Sequence, residues 1–291
     1  MPHPATLRDD LCQSIRPAKP VIEQMTIARL GRILRRREYR RLPNRRLRLL
    51  LTIADLAACT PETVGRAIQW GAKPAAVFPA RARALREKCA IPLGPLRLPT
   101  GPRLYFDIET DVPPRLVWLV GCYVESTGEV RQFLASGPEQ EGAMLREFSA
   151  FAAGIGDVQW LYFSQSEFDK RILLPRLQQH QIPVAHGLIH SVDVQPRLRA
   201  AVAPPAPSFG LKDVAQAFGY RYEHPDLDGL AVAAEYMDCA RRGRSIPERL
   251  LAYNRDDLLS LQFLVDAVAR VCDGGTEERR DPSTAMPPKP G

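Results

Sequence analysis

The spacing of apolar residues along the chain changes near residue 100. From there on, short apolar runs typical of strands alternate with longer segments whose apolar residues recur at helical spacing. The predicted strands cover 104–109, 116–124, 130–135 and 158–163. The predicted helices cover 139–152, about 166–180, 229–242 and 247–272, and one more has Ser208 as its N-cap and stops at Gly219. This order predicts an α/β fold in which helices flank a mixed β-sheet.

The first hundred residues have helical spacing that is repeatedly broken by Pro and Gly. We predict one or two strongly basic helices from Pro20 to about Leu51, and then short helices to Cys89, with Thr60 as an N-cap before Pro61. A stretch with four prolines and two glycines follows, which is typical of a linker. The predicted division is a disordered segment 1–22, a small basic all-α domain 23–92, a linker 93–103, an α/β domain 104–272 and a disordered tail 273–291.

Composition and cysteine spacing argue against several classes of protein. No run of 18 or more apolar residues occurs, which argues against a membrane span, and the N-terminus lacks the pattern of a secretory signal. The six cysteines are scattered without a C-x-x-C pair, which argues against a zinc ribbon and against a disulfide framework. We therefore expect a cytoplasmic protein with no membrane partner and with reduced, mostly buried thiols.

Charge is divided unevenly along the chain. Residues 1–103 hold 21 Lys and Arg against 7 Asp and Glu, whereas residues 104–291 hold 19 against 26. Ten arginines lie between Arg29 and Arg48. Such a basic region is typical of contact with a polyanion, and the alternative is a solvated basic helix without a partner. We expect nucleic acid to be the partner, and the arginines expected to contact its phosphates include Arg35, Arg36, Arg40 and Arg45.

Two carboxylates share one face of the first predicted strand of the α/β domain. Residues two apart in a strand point to the same side, so Asp107 and Glu109 face one way and their apolar neighbours face the other. Adjacent carboxylates repel each other and lose hydration on burial, and a divalent cation such as Mg²⁺ or Mn²⁺ offsets both costs. The alternative is an exposed edge strand with two acids and no ligand.

Two further groups of residues complete a candidate site. Asp169 begins the helix after strand 158–163, where it can lie beside the first two acids or merely complement the helix dipole. Tyr253 and Asp257 are four residues apart on the last helix, so their side chains lie on one face. Asp256 points elsewhere in this register. Each motif alone is common in structural roles, so the prediction depends on their order along the chain.

This order resembles the signature of the DEDD exonucleases, which is D-x-E in a strand, F-D and then Y-x-x-x-D on a late helix. The tyrosine places the resemblance with the DEDDy branch. The stretch from about Leu104 to Val268 is similar to the YprB-type ribonuclease-H-like domain, which is found attached to RecB-family nucleases. The segments WLVGCYV, SVDV, SFGLKDVAQAFGY and DLDG and the helix around Glu141 add to the resemblance. The segment from LTIADLAACTPETVGRAI through RARALREK is similar to the helix-hairpin-helix-like segment that precedes this domain in such proteins.

The resemblance implies a ribonuclease-H-like fold and a 3′-5′ exonuclease that releases nucleoside monophosphates. It implies two metal ions, Mg²⁺ or Mn²⁺, about 3.5–4 Å apart. Asp107 would ligate both ions, while Glu109 and Asp257 would hold the ion that binds the attacking water. Asp169 would help to position the other ion, and Tyr253 would orient the water. The expected substrate is a single-stranded end of DNA or RNA.

The chain departs from the family pattern just ahead of the F-D motif. DEDD enzymes commonly have a His-Asn pair there, and this chain has Ser164 and Gln165. Gln165 keeps an amide, so we expect activity to be retained and contact with the substrate to differ.

Three secondary candidates and two alternative functions complete the sequence-based expectations. Asp193 and Asp228 are secondary candidates, and Asp193 can be a supporting acid, a substrate-side acid or a turn residue. Lys212 can reach a phosphate or be a solvated helix residue. The alternatives are an inactive nucleic-acid-binding module with this fold and a structure-specific endonuclease. The complete five-residue signature favours an enzyme over the binding module.

Overall fold

The computed structural model describes residues 53–68, 75–164 and 167–274. The strands are β1 (Ile91–Pro92), β2 (Arg103–Thr110), β3 (Val117–Val124), β4 (Glu129–Leu134), β5 (Gln159–Tyr162), β6 (Val192–Asp193) and β7 (Val202–Ala203). The helices are α1 (Ile53–Ala58), α2 (Pro61–Ile68), α3 (Val77–Glu87), α4 (Glu141–Gly154), α5 (Phe168–Gln179), α6 (His186–Ile189), α7 (Val194–Ala201), α8 (Leu211–Ala217), α9 (Gly229–Arg241) and α10 (Glu248–Cys272).

Contacts divide the chain into two compact units. The unit with the predicted acidic residues consists of Arg97–Leu198 and Tyr220–Asp266. The other consists of the described residues up to Leu96, of Arg199–Gly219 and of those from Ala267 onward. Each unit is thus assembled from separated segments of the sequence. The predicted domain boundaries divide the chain into consecutive segments instead, and they stay a prediction.

The first of these units is built on a five-stranded sheet with the strand order β4-β3-β2-β5-β6. Strand β2 pairs antiparallel with β3 and parallel with β5, so the sheet is mixed and β2 lies at its centre. Strand β3 is buried along nearly its whole length, as expected for an apolar strand that is covered on both faces. The predicted mixed sheet flanked by helices is therefore confirmed.

Helices cover both faces of this sheet. On one face, Phe106 of β2 packs in a core cluster with Phe148 of α4 and Leu173 of α5. On the other face, Trp118 of β3 stacks on Tyr236 of α9, with 4.5 Å between the ring centroids. The acidic side chains of β2 project towards this second face, where α10 lies.

The described part of the predicted all-α region contains α1, α2 and α3, which share a small apolar core around Leu56, Val64 and Phe78. At the start of α2, Thr60 Oγ1 accepts a hydrogen bond from the Thr63 N–H at 3.2 Å, which is the predicted N-cap contact. The predicted basic helices between 20 and 51 lie outside the described residues. The same is true of Arg35, Arg36, Arg40 and Arg45.

One predicted helix boundary is wrong. Helix α8 begins at Leu211 with Gly210 as its N-cap, so Ser208 does not cap it. Ser208 Oγ instead accepts a hydrogen bond from the Gly210 N–H at 3.0 Å and forms a local turn ahead of the helix. The predicted stop is correct, because Gly219 follows the helix with a φ of 102°. None of the helices in the described ranges has both the length and the apolarity needed to cross a membrane.

Candidate active site

Strand β2 alternates its side chains as its sequence predicts. Leu104, Phe106 and Ile108 are buried in the core cluster on one face of the sheet. Asp107 and Glu109 therefore project from the opposite face. The pairing of β2 with β3 shifts register directly after Glu109, and such bulges commonly redirect side chains beside functional sites.

Helix α10 brings a third carboxylate to this face. Asp257 follows Asp107 by 150 residues. Nevertheless, Asp107, Glu109 and Asp257 each place a carboxylate oxygen within 4.8 Å of the others. Glu109 is 7% exposed, while the other two side chains are half-buried. The three acids, which we call the acidic cluster, are thus partly withdrawn from water while two of them keep contact with solvent.

The chemistry of the donors in the acidic cluster fits a hard divalent cation. All three ligand groups are carboxylates. Mg²⁺ and Mn²⁺ prefer such oxygen ligands, whereas Zn²⁺ sites are built mainly from Cys and His. Without a cation, three carboxylates at this distance repel one another in a partly buried place. A bound cation therefore stabilises the arrangement that the fold imposes.

The pKa values of Asp107 and Glu109 are raised by burial and by the charges of neighbouring acids. Burial raises the pKa of Asp107 well above its usual value, and the charges of Glu109, Asp169 and Asp257 raise it further, while a hydrogen bond from Asn254 lowers it. Burial raises the pKa of Glu109 in the same way, followed by the charges of Asp257 and Asp169. Cation binding to such a group would compete with protons, so it would strengthen as the pH rises.

Asp169 is a close neighbour of the acidic cluster. It lies in the first turn of α5 and is 4% exposed. Burial raises the pKa of Asp169 to about 6, although hydrogen bonds from the side chain of Ser164 and the backbone of Ile108 favour its charged form. Since Ile108 lies between Asp107 and Glu109 on β2, this contact fixes Asp169 beside them.

Tyr253 shares one face of α10 with Asp257, as their spacing of four residues predicts. Its hydroxyl donates a hydrogen bond to the Asp257 carboxylate. Burial raises the pKa of Tyr253 above its usual value, and the charges of Asp257, Glu109 and Asp107 raise it further. The phenol therefore stays protonated at neutral pH and keeps its hydroxyl proton at the edge of the acidic cluster.

A family model of the RNase H superfamily matches residues 104–269, which is more than half of the 291-residue chain. The chain belongs to the RNase H superfamily. The match begins in β2 and ends within α10, so the whole acidic cluster lies inside the matched region. Comparison with curated proteins and with solved structures found no match to this chain. Superfamily membership and the acidic cluster are together compatible with a metal-dependent nuclease.

In this member of the RNase H superfamily, Ser164 and Asp193 organise the backbone that leads to Asp169. Asp193 Oδ1 accepts hydrogen bonds from the N–H groups of Ser164 at 3.1 Å and Gln195 at 3.0 Å. Ser164 Oγ accepts one from the Phe168 N–H at 2.6 Å. These contacts support the start of α5, and a substrate contact by Asp193 stays a prediction. Gln165 lies outside the described residues.

Asp256, which precedes Asp257, has a different environment. It is 3% exposed and accepts hydrogen bonds from the Tyr220 hydroxyl at 3.0 Å and the Glu223 N–H at 2.5 Å. Successive helical residues point about 100° apart, so only one of the two acids can face β2. The structure places Asp257 in the acidic cluster, whereas Asp256 attaches the segment 220–223 to α10.

The sequence reasoning missed Asn254, which is fully buried and donates a hydrogen bond from Nδ2 to Asp107 Oδ2 at 2.8 Å. Two signals in the sequence point to it. Asn254 interrupts a series of apolar residues at helical spacing, between Leu250 and Leu258. In addition, Gly121 lies in the middle of an apolar strand, where a glycine often marks the close approach of another group.

The two remaining secondary candidates lie on other helices. Asp228 is the N-cap of α9, where its side chain accepts a hydrogen bond from the Ala231 N–H at 2.8 Å and stabilises the start of that helix. Lys212 lies on α8, in the other compact unit. A phosphate contact by Lys212 stays a prediction.

Proposed function

We propose that this protein is a metal-dependent nuclease that hydrolyses phosphodiester bonds as a 3′-5′ exonuclease of the DEDDy type. The observation that supports this best is the convergence of Asp107, Glu109 and Asp257 within 4.8 Å of one another. The Tyr253 hydroxyl is hydrogen-bonded to the third of these acids. Family membership supports the same class of chemistry.

The position of each acid supports the role that we propose for it. Asp107 would help to hold both of two cations, because its carboxylate lies within 4.8 Å of those of Glu109 and Asp257. It is also next to Ile108, whose backbone hydrogen-bonds Asp169. Glu109 and Asp257 would share one cation, and Asp169 would help to position the second. When bound, Mg²⁺ or Mn²⁺ ions would lower the pKa of a water ligand and neutralise charge on the phosphodiester.

Tyr253 would orient the attacking water. Its hydroxyl hydrogen is engaged by Asp257, which leaves the lone pairs of the oxygen to accept a hydrogen bond from water. A water held in this way beside the Asp257 carboxylate would be directed at a phosphodiester bound over β2. Replacement of Tyr253 by Phe should therefore lower turnover and leave cation binding intact.

The proposed substrate is the 3′ end of a single strand of DNA or RNA. Phosphates of a strand would be attracted to the site once cations have neutralised its carboxylates, and the basic N-terminal region would contact the phosphates further along. The proposed substrate contacts are Gln165, Asp193, Lys212, Arg35, Arg36, Arg40 and Arg45.

The test is a nuclease assay on single-stranded DNA and RNA labelled at either end, with Mg²⁺ or Mn²⁺. We expect stepwise shortening from the 3′ end that is lost in Asp107→Asn and Asp257→Asn. The matched control is Asp256→Asn, which removes an acid from the adjacent position of the same helix and should still cut.

Other outcomes would overturn the proposal in distinguishable ways. Cleavage of circular or end-blocked strands would identify an endonuclease. Binding of the strands with no cleavage under any metal condition would identify a nucleic-acid-binding module. Loss of activity in Asp256→Asn with full activity in Asp257→Asn would show that the assigned acid on α10 is wrong.

A further inference from the structure

Three residues form a row across the neighbouring strands β2, β3 and β4, directly beneath α10. Asp107 of β2 is paired with Gly121 of β3, and Gly121 is paired with Gln132 of β4. Directly paired residues on neighbouring strands point to the same face, so Asp107 and Gln132 project on either side of a position that has no side chain.

The side chain of Asn254 fills the space above Gly121. A Cβ atom added at Gly121 would lie 2.0 Å from Asn254 Oδ1 and 2.9 Å from Leu258 Cδ1, so any other residue there would collide with α10. The Asn254 amide then contacts both ends of the row. Its Nδ2 donates to Asp107 Oδ2 at 2.8 Å, and its Oδ1 accepts from Gln132 Nε2 at 3.0 Å.

Gln132 determines the orientation of the Asn254 side-chain amide. Gln132 Nε2 also donates to the Leu251 carbonyl at 2.8 Å. This contact fixes the orientation of the Gln132 amide, so that its NH₂ group, and not its oxygen, faces Asn254. Asn254 must therefore turn its oxygen to Gln132 and its NH₂ group to Asp107. The direction of these hydrogen bonds is thus set in β4, two strands away from the acid that receives them.

We propose that Asn254 and Gln132 are positioning residues that fix the Asp107 carboxylate for cation binding. The proposal rests on the proposed metal-dependent function. By holding Oδ2, the Asn254 amide restricts rotation of the carboxylate and directs the other oxygen into the acidic cluster. Groups that orient metal ligands in this way typically change metal affinity by about 10–100-fold when they are replaced.

The decisive variant is Gln132→Glu in the full chain at pH 8. A carboxylate at position 132 has no donor, so Asn254 would turn its NH₂ group to residue 132 and its oxygen to Asp107, and the two oxygens would repel. The added negative charge alone would attract cations and tighten their binding. The proposal predicts the opposite, which is binding of Mn²⁺ that is about 10-fold weaker or more.

A neutral variant separates charge from hydrogen bonding. Gln132→Met keeps a similar side-chain length but removes the hydrogen-bond donor. We expect it to weaken Mn²⁺ binding as well, but by less than Gln132→Glu does. Binding is measured by calorimetric titration with Mn²⁺ alone, and a thermal unfolding scan in EDTA checks that each variant is folded. If Gln132→Glu does not fold, the titration of Gln132→Met decides.

Unchanged or tighter Mn²⁺ binding in a folded Gln132→Glu or Gln132→Met protein overturns the proposal. A failure of the proposed nuclease function is recognised separately. If the unsubstituted protein binds Mn²⁺ but cuts no strand, the nuclease function fails and the ratio of affinities still tests the two positioning residues. If the unsubstituted protein binds no Mn²⁺, both proposals fail.

Discussion

Replacement of Asp257 by Asn should stabilise the metal-free protein even though it removes a candidate metal ligand. The substitution removes one of three carboxylates that the fold forces together, while the amide keeps an oxygen that can accept the hydrogen bond from Tyr253. Its neighbour Asp256 provides a matched comparison, because Asp256→Asn weakens hydrogen bonds to Tyr220 and Glu223 without relieving the acidic cluster.

The magnitude follows from the separation of the carboxylates. Oxygens within 4.8 Å of one another repel each other by about 3.5 kcal/mol or more per charged pair at an effective dielectric constant of about 20. Burial and the charges of neighbouring acids raise the pKa values of Asp107 and Glu109. Asp107 and Asp257 are only half-buried, so solvent screens part of the repulsion. We therefore expect Asp257→Asn to raise the free energy of unfolding by about 1–2 kcal/mol at pH 8. Asp256→Asn should lower it by about 1–2 kcal/mol.

The assay is urea denaturation at pH 8, first in EDTA and then with Mn²⁺. In EDTA the two variants should move away from the unsubstituted protein in opposite directions. With Mn²⁺ at about 100 times its dissociation constant, the unsubstituted protein should gain about 2.7 kcal/mol, and Asp257→Asn should gain much less. If Asp257→Asn destabilises the metal-free protein as Asp256→Asn does, the electrostatic reasoning about the acidic cluster is refuted.

Three further predictions test the charges and the packing around the site. The folded-state pKa of Asp169, about 6, lies above its usual value of 3.8. The unfolded chain therefore releases this proton first, and the free energy of unfolding should fall as the pH rises from about 4 to about 6, by up to about 3 kcal/mol. Urea denaturation in EDTA should show this fall relative to Asp169→Asn, and an equal pH dependence in both proteins would contradict it. Gly121→Ala should destabilise the protein by about 1–3 kcal/mol, because its Cβ would lie 2.0 Å from Asn254 Oδ1. The measurement is thermal unfolding of this variant beside Gly154→Ala, where a Cβ meets nothing within 4 Å and little effect is expected. An equal change in melting temperature in the two variants would argue against close packing over β3. Glu141 is fully buried and accepts hydrogen bonds from the Val117 N–H at 2.9 Å and Arg176 Nε at 2.8 Å. Its replacement by Leu should cost about 3–5 kcal/mol in chemical denaturation, since Arg176 would lose its carboxylate partner and the Val117 N–H its acceptor. A loss below about 1 kcal/mol would show that this ion pair contributes little.

The sequence by itself determined the features that depend on local geometry. The period of two in LYFDIET places Asp107 and Glu109 on one face of β2, and the spacing of four places Tyr253 and Asp257 on one face of α10. Alternation of apolar strands and helices predicted the mixed sheet, which the structure confirms. These features follow from backbone periodicity, so they need no knowledge of how distant segments meet.

The tertiary structure alone decided which distant residues meet. The contact of Asn254 with Asp107 depends on the pairing of three strands and on the packing of α10 over Gly121. The sequence marks Asn254 as a polar interruption of an apolar helix face, but it does not show that Asn254 contacts a residue 147 positions away, because that geometry is set by packing rather than by the backbone of either segment.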